Sequence, residues 1–252
     1  MSDKEIIVTG YPKSGNTWLA RLLGDALNSP VTGYKNATPI AQEGKDRTGS
    51  YLIRQLHLIP DYKESGQFIS DNSKFLFVSC YDNEKIIVIV RDPRDVCVSC
   101  YHYWKMKSIS QTIRAMYNAE WPIVAAGPYH LFMELWSTCP LPVVFIKYED
   151  LLRDTELYLD KLLSKLNIKP VQNLTEVIDR QSLSSRRKGF EELQNQGKHY
   201  HPYGTGTQLT NLRKGIEGDW RNHFTKSDTE FFRSLFNPTM QLLGYEWHDI
   251  SE

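Results

Sequence analysis

A glycine-containing loop between an apolar run and an amphipathic run constrains this chain more than any other feature. The apolar run covers residues 6–8, the loop Thr-Gly-Tyr-Pro-Lys-Ser-Gly-Asn-Thr-Trp covers residues 9–18, and the amphipathic run ends near residue 27. This order predicts a strand, a tight loop and the start of a helix. Backbone N–H groups and a helix N-terminus converge at such a junction, so the segment predicts a site for a phosphate or sulfate group.

The spelling of the loop separates it from the usual ATP-binding motif. Gly10 and Gly15 have the spacing of the first part of a P-loop, but the residue after the second glycine is Asn16 and not lysine. The lysine of the loop, Lys13, precedes the second glycine instead. A cation at that position still favours an anionic ligand.

Strand and helix patterns alternate along the chain. The predicted strands cover residues 6–9, 51–58, 75–79, 85–90 and 143–147, and the predicted helices cover residues 17–27, 95–104, 129–139 and 156–166. Continuous apolar runs at residues 86–90 and 143–146 are typical of strands that are covered on both faces of a parallel sheet. We therefore predict a three-layer, P-loop-like α/β fold, with a central, mostly parallel sheet flanked by helices and ligands at the carboxyl ends of the strands.

Length and charge limit the class of protein. The chain has 252 residues and a formal net charge of zero, which predicts a single domain over residues 1–252 and no nucleic-acid partner. The sequence contains neither an apolar leader nor a run of 18 apolar residues, so we expect a cytoplasmic protein without a membrane partner. Cys97 and Cys100 lack a companion pair, which favours buried thiols over a metal site.

Two further segments carry cations at positions suited to anion binding. Arg91 directly follows the most apolar predicted strand, and Ser99 lies one helical turn beyond Asp95, the expected N-cap of the next helix. These residues predict a second anion pocket, with Asp92 as a Mg²⁺ ligand or a solvated charged turn as the alternatives. The third segment, at residues 213–220, combines two adjacent cations with glycines that let the backbone approach a ligand closely.

Taken in order, the three segments resemble those of sulfotransferases that use 3′-phosphoadenosine-5′-phosphosulfate (PAPS). Residues 11–18 resemble the 5′-phosphosulfate loop of that family, residues 91–99 its 3′-phosphate segment, and residues 213–220 its C-terminal signature. The resemblance implies PAPS as donor, PAP as product and transfer without a metal ion. It implies donor contacts from Lys13, Ser14, Gly15, Asn16, Thr17, Trp18, Arg91, Ser99, Tyr148, Arg213, Lys214 and Gly215.

The resemblance also implies catalytic roles. Lys13 would stabilise the leaving group, and His57 would be the base that accepts the proton of the acceptor. His57 stands in Gln-Leu-His-Leu-Ile-Pro, where the family usually has Lys-Thr-His-Leu-Pro, so Leu56 replaces threonine and one extra residue precedes proline. The alternative bases are Glu43, Asp46 and His102.

The predicted reaction is in-line transfer of a sulfuryl group to a hydroxyl, or less favourably an amine, of a small-molecule acceptor. The alternatives are an ATP-dependent small-molecule kinase and a nucleotide-binding module without activity. Residues 224–226 do not match the dimer motif of some relatives, which favours a monomer or a weak homodimer.

Three structural details complete the prediction. Residues 30–50 and 186–212 lack a clear period and are expected to be irregular. The last helix is expected to begin with a capping box formed by Ser227 and Glu230, and Pro238 is expected to kink or end it.

Overall fold

A computed structural model describes residues 4–33, 43–57, 59–61, 77–79, 85–123, 126–196 and 213–247. The strands are β1 (Lys4–Thr9), β2 (Val31–Thr32), β3 (Tyr51–Gln55), β4 (Ile59–Asp61), β5 (Phe77–Ser79), β6 (Lys85–Val90) and β7 (Val143–Lys147). The helices are α1 (Asn16–Ala26), α2 (Pro93–Tyr103), α3 (Ile109–Asn118), α4 (Tyr129–Ser137), α5 (Tyr148–Arg153), α6 (Thr155–Lys165), α7 (Leu174–Gln181), α8 (Leu183–Asn195) and α9 (Lys226–Leu242).

The central sheet has five parallel strands in the order β2-β3-β1-β6-β7. β1 lies in the middle, with Val8 opposite Gln55 of β3 on one side and opposite Ile87 of β6 on the other. The chain therefore changes direction across the sheet at β1, which places the segments after β1, β3 and β6 at one edge, where ligands of such sheets bind. β4 and β5 form a separate parallel pair.

Both faces of the central strands β1 and β6 are buried, and successive side chains of each strand point to opposite faces. The expectation that residues 143–146 are covered on both faces was wrong for the edge strand β7, where Phe145 is 40% exposed. One cluster combines Ile7, Val88 and Val90 with residues of α2, α3, α4 and α9. The other combines Ile6, Val8, Ile87 and Ile89 with residues of α1, α5, α6 and α7. This burial explains the continuous apolar run of β6 and confirms the three-layer prediction.

The predicted boundaries hold best where a strand is apolar on both faces. β6 and β7 have the predicted bounds, whereas the predicted strand 51–58 ends at Gln55. α2 begins at Pro93 because Asp92 is its N-cap and accepts the backbone N–H of Arg94 at 2.9 Å. The expectation that Asp95 is the N-cap was therefore wrong.

The last helix also begins differently from the prediction. Thr225 is the N-cap of α9, and its side chain and that of Asp228 form the capping box, so the pair Ser227 and Glu230 was wrong. Pro238 lies within α9, which continues to Leu242, so the proline does not end the helix.

Some segments that were expected to be irregular contain regular structure. α8 occupies residues 183–195, which overlap the segment 186–212, and residues 197–212 lie outside the described part. Within residues 30–50, β2 joins the sheet edge, and residues 34–42 are not described. Of the predicted strand 75–79, the described residues 77–79 form β5. In the described ranges, none of the helices has both the length and the apolar character that a membrane crossing requires.

Candidate active site

The loop between β1 and α1 is so closely packed that two of its positions require glycine. A Cβ atom on Gly10 would lie 2.4 Å from Asn16 Oδ1 and 2.5 Å from the Ile89 carbonyl oxygen. Gly15 has φ 102°, in the left-handed region, and a Cβ atom there would lie 2.6 Å from the Tyr148 ring. The loop therefore brings its backbone against β6 and Tyr148 at the start of α1.

Side-chain hydrogen bonds fix the loop from within. Asn16, the first residue of α1, donates from Nδ2 to the carbonyl oxygens of Gly10 and Tyr11, each at 3.1 Å. The Tyr11 hydroxyl donates to the carbonyl oxygen of Gly127 at 3.2 Å and ties the loop to the segment before α4. The predicted phosphate loop is thus held as a preformed turn at the N-terminus of a helix.

Lys13 carries the positive charge of the loop. Its Nζ atom lies 3.8 Å from the centre of the Tyr103 ring, within the range of a cation–π interaction. Burial lowers the pKa of the Lys13 ammonium to about 8, and the positive charges of Arg91 and Arg213 act in the same direction. Lys13 also adopts a positive φ of 73°.

Arg91 brings the three predicted segments together. At the end of β6, its Nη1 atom donates to the Lys13 carbonyl oxygen at 3.2 Å, and its Nη2 atom donates to the Ile216 carbonyl oxygen at 3.2 Å. The guanidinium carbon also lies 4.5 Å from the centre of the Tyr148 ring. A single buried side chain therefore contacts the first loop, the C-terminal segment and the residue that follows β7.

Tyr148 and Trp18 form an aromatic wall beside the loop. Tyr148 begins α5 directly after β7, and its ring meets that of Trp18 edge-on with the ring centres 5.7 Å apart. A Cβ atom on Gly215 would lie 3.8 Å from the Tyr148 hydroxyl oxygen and 3.6 Å from Leu183. Gly215 has φ 63°, so this approach also uses a conformation that glycine favours.

Two buried polar atoms at this wall point to an anionic ligand. Among the described residues, neither the Ser14 hydroxyl nor the Arg91 Nε atom has a hydrogen-bond partner. A buried donor without a partner is costly, and phosphate oxygens would satisfy both. Ser99 is half-buried on α2. Thr17 is exposed at the first turn of α1.

The predicted cations Arg213 and Lys214 converge on one carboxylate. Arg213 Nη2 lies 2.6 Å and Lys214 Nζ 2.8 Å from the oxygens of Asp219, whose side chain is 1% exposed. Burial alone would raise the pKa of Asp219, but hydrogen bonds from Lys214, Arg213 and Asn222 outweigh it and hold that pKa well below its usual range. The C-terminal cations are therefore neutralised by an acid of their own segment.

Asp95 fastens this C-terminal segment to α2. Its carboxylate accepts the backbone N–H of Gly218 at 2.7 Å and that of Trp220 at 2.9 Å. This long-range role replaces the predicted N-cap role. It also explains how residues 213–220 come to lie beside the end of β6.

Asp92, the alternative Mg²⁺ ligand, is engaged by its neighbour. Both oxygens of its carboxylate contact the Arg94 guanidinium, with the Oδ2–Nη2 pair at 2.6 Å, and both side chains are buried. In the described part of the chain, no group of three or more His, Cys, Asp or Glu side chains is arranged to hold a metal ion. Cys97 and Cys100 are buried, as expected.

His57 lies beside the loop, two residues beyond the end of β3. Its Nδ1 atom is 2.9 Å from the Gly10 carbonyl oxygen and 2.9 Å from Asn16 Nδ2, and its Nε2 atom is 3.3 Å from Gln55 Nε2. Burial lowers the pKa of His57 to about 4, and the charge of Lys13 acts in the same direction. The imidazole is therefore neutral at pH 7 and has one nitrogen that can accept a proton.

The other predicted bases lie in different surroundings. Glu43 forms a salt bridge with Arg21, and Arg186 lies 3.9 Å away. Asp46 is exposed on a turn. The His102 ring packs edge-on against that of His223 with the centres 4.9 Å apart. Of the four candidates, His57 is the one that contacts the glycine loop.

The sequence analysis assigned no role to three residues of the candidate site. Gln55 contacts His57, Asp219 holds two cations, and Glu149 accepts the backbone N–H of Asp92 and the Tyr245 hydroxyl, each at 2.8 Å. The partners of Glu149 are 57 and 96 residues away in the sequence. The partners of Asp219 lie in its own segment, and His57 is two residues beyond Gln55. The adjacent cations at residues 213 and 214 were the available hint of a compensating acid.

Comparison with known proteins identifies the family. A sequence profile of the sulfotransferase domain matches residues 3–244. The guinea-pig (Cavia porcellus) 3-alpha-hydroxysteroid sulfotransferase is 26% identical over 250 residues, which cover 95% of this chain and 85% of the relative. Human (Homo sapiens) sulfotransferase 2A1 is 28% identical over 259 residues, which cover 97% of this chain and 87% of the relative.

Solved structures show the same fold. The crystal structure of mouse sulfotransferase SULT7A1 complexed with PAP superposes with a TM-score of 0.70 at 24% identity, covering 96% of this chain and 86% of that one. Retinol dehydratase in complex with androsterone and PAP has a TM-score of 0.62 at 14% identity, covering 99% of this chain and 83% of that one. The predicted fold class and the predicted sulfotransferase activity are confirmed, and this chain belongs to the sulfotransferase domain family.

Proposed function

We propose that this protein transfers a sulfuryl group from PAPS to a hydroxyl of a small-molecule acceptor and releases PAP. The observation that carries the proposal is the position of Arg91, which contacts Lys13 of the first loop and Ile216 of the C-terminal segment. The donor carries phosphate groups at two positions of its ribose, so cations from separate segments of the chain must lie close together to bind both. Arg91 lies where those segments meet. The unsatisfied donors on Ser14 and Arg91 suit its phosphate oxygens.

The remaining donor contacts follow from the same arrangement. Gly15, Asn16 and Thr17 would hold the 5′-phosphate at the N-terminus of α1. Trp18 and Tyr148 would pack against the adenine, and Ser99, Arg213, Lys214 and Gly215 would contact the 3′-phosphate. Exchange of Asp219 for phosphate at Arg213 and Lys214 is part of this proposal.

The proposed chemistry is an in-line displacement. The acceptor oxygen forms a bond to sulfur while the bond from sulfur to the phosphate oxygen breaks, and Lys13 stabilises the negative charge that develops on that leaving oxygen. His57 accepts the acceptor's proton at Nε2, so that the sulfate ester and PAP are the products. No step of this proposal requires a metal ion.

The ATP-dependent kinase has less support. It needs a carboxylate for Mg²⁺ at the end of β6, and the Asp92 carboxylate is bound to Arg94. Calorimetry with PAP and with ATP, each with and without Mg²⁺, distinguishes the two donors. We expect PAP to bind without Mg²⁺ and more tightly than ATP; a preference for ATP with Mg²⁺ would overturn the proposal.

Turnover separates the enzyme from a binding module without activity. Labelled PAPS should be consumed with at least one member of a panel of phenols, alcohols and 3-hydroxysteroids, the last chosen after the activity named for the guinea-pig relative. His57→Ala should lower that turnover by about 10²–10⁴-fold, the usual contribution of a general base, while PAP affinity changes less than about threefold. His130→Ala, half-buried on α4, is the matched control. Unchanged turnover in His57→Ala would move the base to another residue.

The acceptor class, the cytoplasmic location and the monomeric or weakly dimeric state remain predictions. The relatives named above support a small-molecule acceptor. A sedimentation measurement at two protein concentrations tests the oligomeric state directly.

A further inference from the structure

The side chain of Gln55 joins the start of α1 to His57. Thr17 Oγ1 donates a hydrogen bond to Gln55 Oε1 at 3.0 Å, and Gln55 Nε2 lies 3.3 Å from His57 Nε2. Gln55 is the last residue of β3, and Thr17 is exposed on the first turn of α1. The amide therefore bridges the helix end expected to face the donor phosphate and the proposed base.

The direction of each hydrogen bond follows from the partners of Asn16. Its Nδ2 atom carries two hydrogens, and the carbonyl oxygens of Gly10 and Tyr11 accept them at 3.1 Å. His57 Nδ1 lies 2.9 Å from the same Gly10 oxygen. Asn16 Nδ2 also lies 2.9 Å from Nδ1, but both of its hydrogens are already donated to the two carbonyl oxygens. A lone pair on Nδ1 would face the Gly10 carbonyl repulsively, so we assign the hydrogen to Nδ1, which donates it to Gly10.

The basic nitrogen of the neutral ring is consequently Nε2. Because Nε2 then has the lone pair, the end of the Gln55 amide that faces it at 3.3 Å is the Nε2 donor. This orientation leaves Gln55 Oε1 to accept the hydrogen bond from the Thr17 hydroxyl. Gln55 thus donates to the lone pair that would accept the acceptor's proton. In the Lys-Thr-His-Leu-Pro motif the residue two positions before the histidine is lysine. The glutamine amide at this position is therefore a feature of this chain and not of the motif.

We propose that Gln55 is a positioning residue that holds Nε2 of His57 in the resting protein and releases it when the donor engages Thr17. Phosphate oxygens are stronger acceptors than an amide oxygen, so a bound 5′-phosphate draws the Thr17 hydroxyl away from Gln55. The amide then loses the bond that fixes it and can turn away from Nε2. Donor occupancy thereby makes the base available to the acceptor, an inference that rests on the proposed function.

Lys13 acts on His57 electrostatically from the loop, and Gly10, Asn16 and Gln55 contact the ring. A hydrogen bond donated to Nε2 stabilises the neutral ring and lowers the pKa of His57. Burial and the charge of Lys13 lower it as well. Removing the Gln55 donor should therefore raise the pKa even though burial remains.

The test is nitrogen NMR of the histidine rings in the full-length protein, with the His57 signals assigned from a His57→Asn variant. In the wild type we expect a hydrogen on Nδ1 and a lone pair on Nε2. Gln55→Met should raise the pKa of His57 by about half a unit to one unit, and Gln55→Glu by about one to three units, because a carboxylate stabilises the imidazolium. Gln172→Met, at an exposed residue, is the control and should change neither.

Two results would overturn the positioning role. One is a hydrogen on Nε2 in the wild type, and the other is an unchanged His57 pKa in both Gln55 variants. Thr17→Val keeps the role testable if a Gln55 variant does not fold, because it removes only an exposed hydroxyl. It should shift the His57 Nε2 signal in the direction seen for Gln55→Met.

PAP tests the coupling. Saturating PAP should shift the Nε2 signal of wild-type His57 as loss of a hydrogen bond does, and the shift should be at least halved in Thr17→Val and absent in Gln55→Met. Saturation, confirmed by calorimetry, without any shift in the wild type would overturn the coupling. Absence of PAP binding would overturn both the proposed donor and the coupling, whereas the free-protein spectra would still decide the role of Gln55.

Discussion

The two sets of cations at the candidate site are held in different ways. Lys13 lies on the ring of Tyr103, and Arg91 lies on two carbonyl oxygens and the ring of Tyr148. Arg213 and Lys214 instead contact the buried carboxylate of Asp219. Lys13 and Arg91 thus contact aromatic rings and carbonyl oxygens, and Arg91 also interacts electrostatically with Asp95. Arg213 and Lys214 form ion pairs with an acid of their own segment.

The difference indicates a division of work. The contact of Lys13 with the face of an aromatic ring leaves the ammonium able to respond to negative charge that develops in a transition state. A cation already paired with a carboxylate gains less from a second anion, because one ion pair is exchanged for another. We therefore expect Lys13 to act in the chemistry, and Arg213 and Lys214 to act in recognition of the donor.

The largest expected effect is on Lys13. Lys13→Ala should lower turnover of labelled PAPS by about 10²–10³-fold, because the contact strengthens as the leaving oxygen gains charge, while PAP affinity falls less than about tenfold. Lys169→Ala, at an exposed lysine, should leave both unchanged. Equal losses of turnover and affinity would show that Lys13 serves binding alone and would remove the contrast between the two sets.

A smaller effect is expected at Asp219. Asp219→Asn removes the competing charge with little change of shape, so PAP should bind about fivefold more tightly, an effect of about 1 kcal/mol. Calorimetry measures it, and Asp160→Asn, at an exposed residue, is the control. Weaker PAP binding in Asp219→Asn would show that the carboxylate positions the cations for the donor and does not compete with it.

The same variant has a pH signature. Because the folded-state pKa of Asp219 is held below its unfolded value, its carboxylate stabilises the protein above about pH 4, and that stability is lost as the pH falls towards the folded-state pKa. The free energies of unfolding of wild type and Asp219→Asn should therefore differ at pH 7 and converge in acid. Urea unfolding at several pH values measures the difference.

The smallest expected effect is the uptake of protons when PAP binds. With a pKa of about 8, about half of the Lys13 side chains are neutral at pH 8 in the free protein, and a bound anion favours the ammonium form. PAP binding should therefore take up as much as about half a proton at pH 8, and Lys13→Met should abolish this uptake. Calorimetry in buffers of different ionisation enthalpy measures it. Release of protons at pH 8 would contradict the lowered pKa.

The elements that the sequence predicted well are those whose neighbours are determined by local patterns. β6 is apolar at every residue from 86 to 90, and β7 is apolar at every residue from 143 to 146. The bounds of both strands were predicted without error. The start of α2 was misplaced because Asp92 and Asp95 are both good N-cap residues. Pro93 at the first helical position decides between them.

The functional residues divide in the same way. Lys13 and Arg91 follow strands in recognisable segments, so a local pattern was enough to name them as candidates. Gln55 could not be named, because its proposed role depends on Thr17, which is 38 residues away in the sequence, and on a β3 that ends earlier than its apolar pattern suggests. Tertiary hydrogen bonds of this kind leave no period or spacing in a single sequence.

The two hydrogen bonds that the Asp95 carboxylate accepts bear on when the candidate site can form during synthesis of the chain. The two backbone amides that donate to this carboxylate on α2 are 123 and 125 residues further along the chain. A nascent chain that has already folded its glycine loop still lacks the C-terminal half of the anion site until residue 220 has left the ribosome and docked. If the proposed function holds, we expect the complete donor site to form late in the synthesis of the chain.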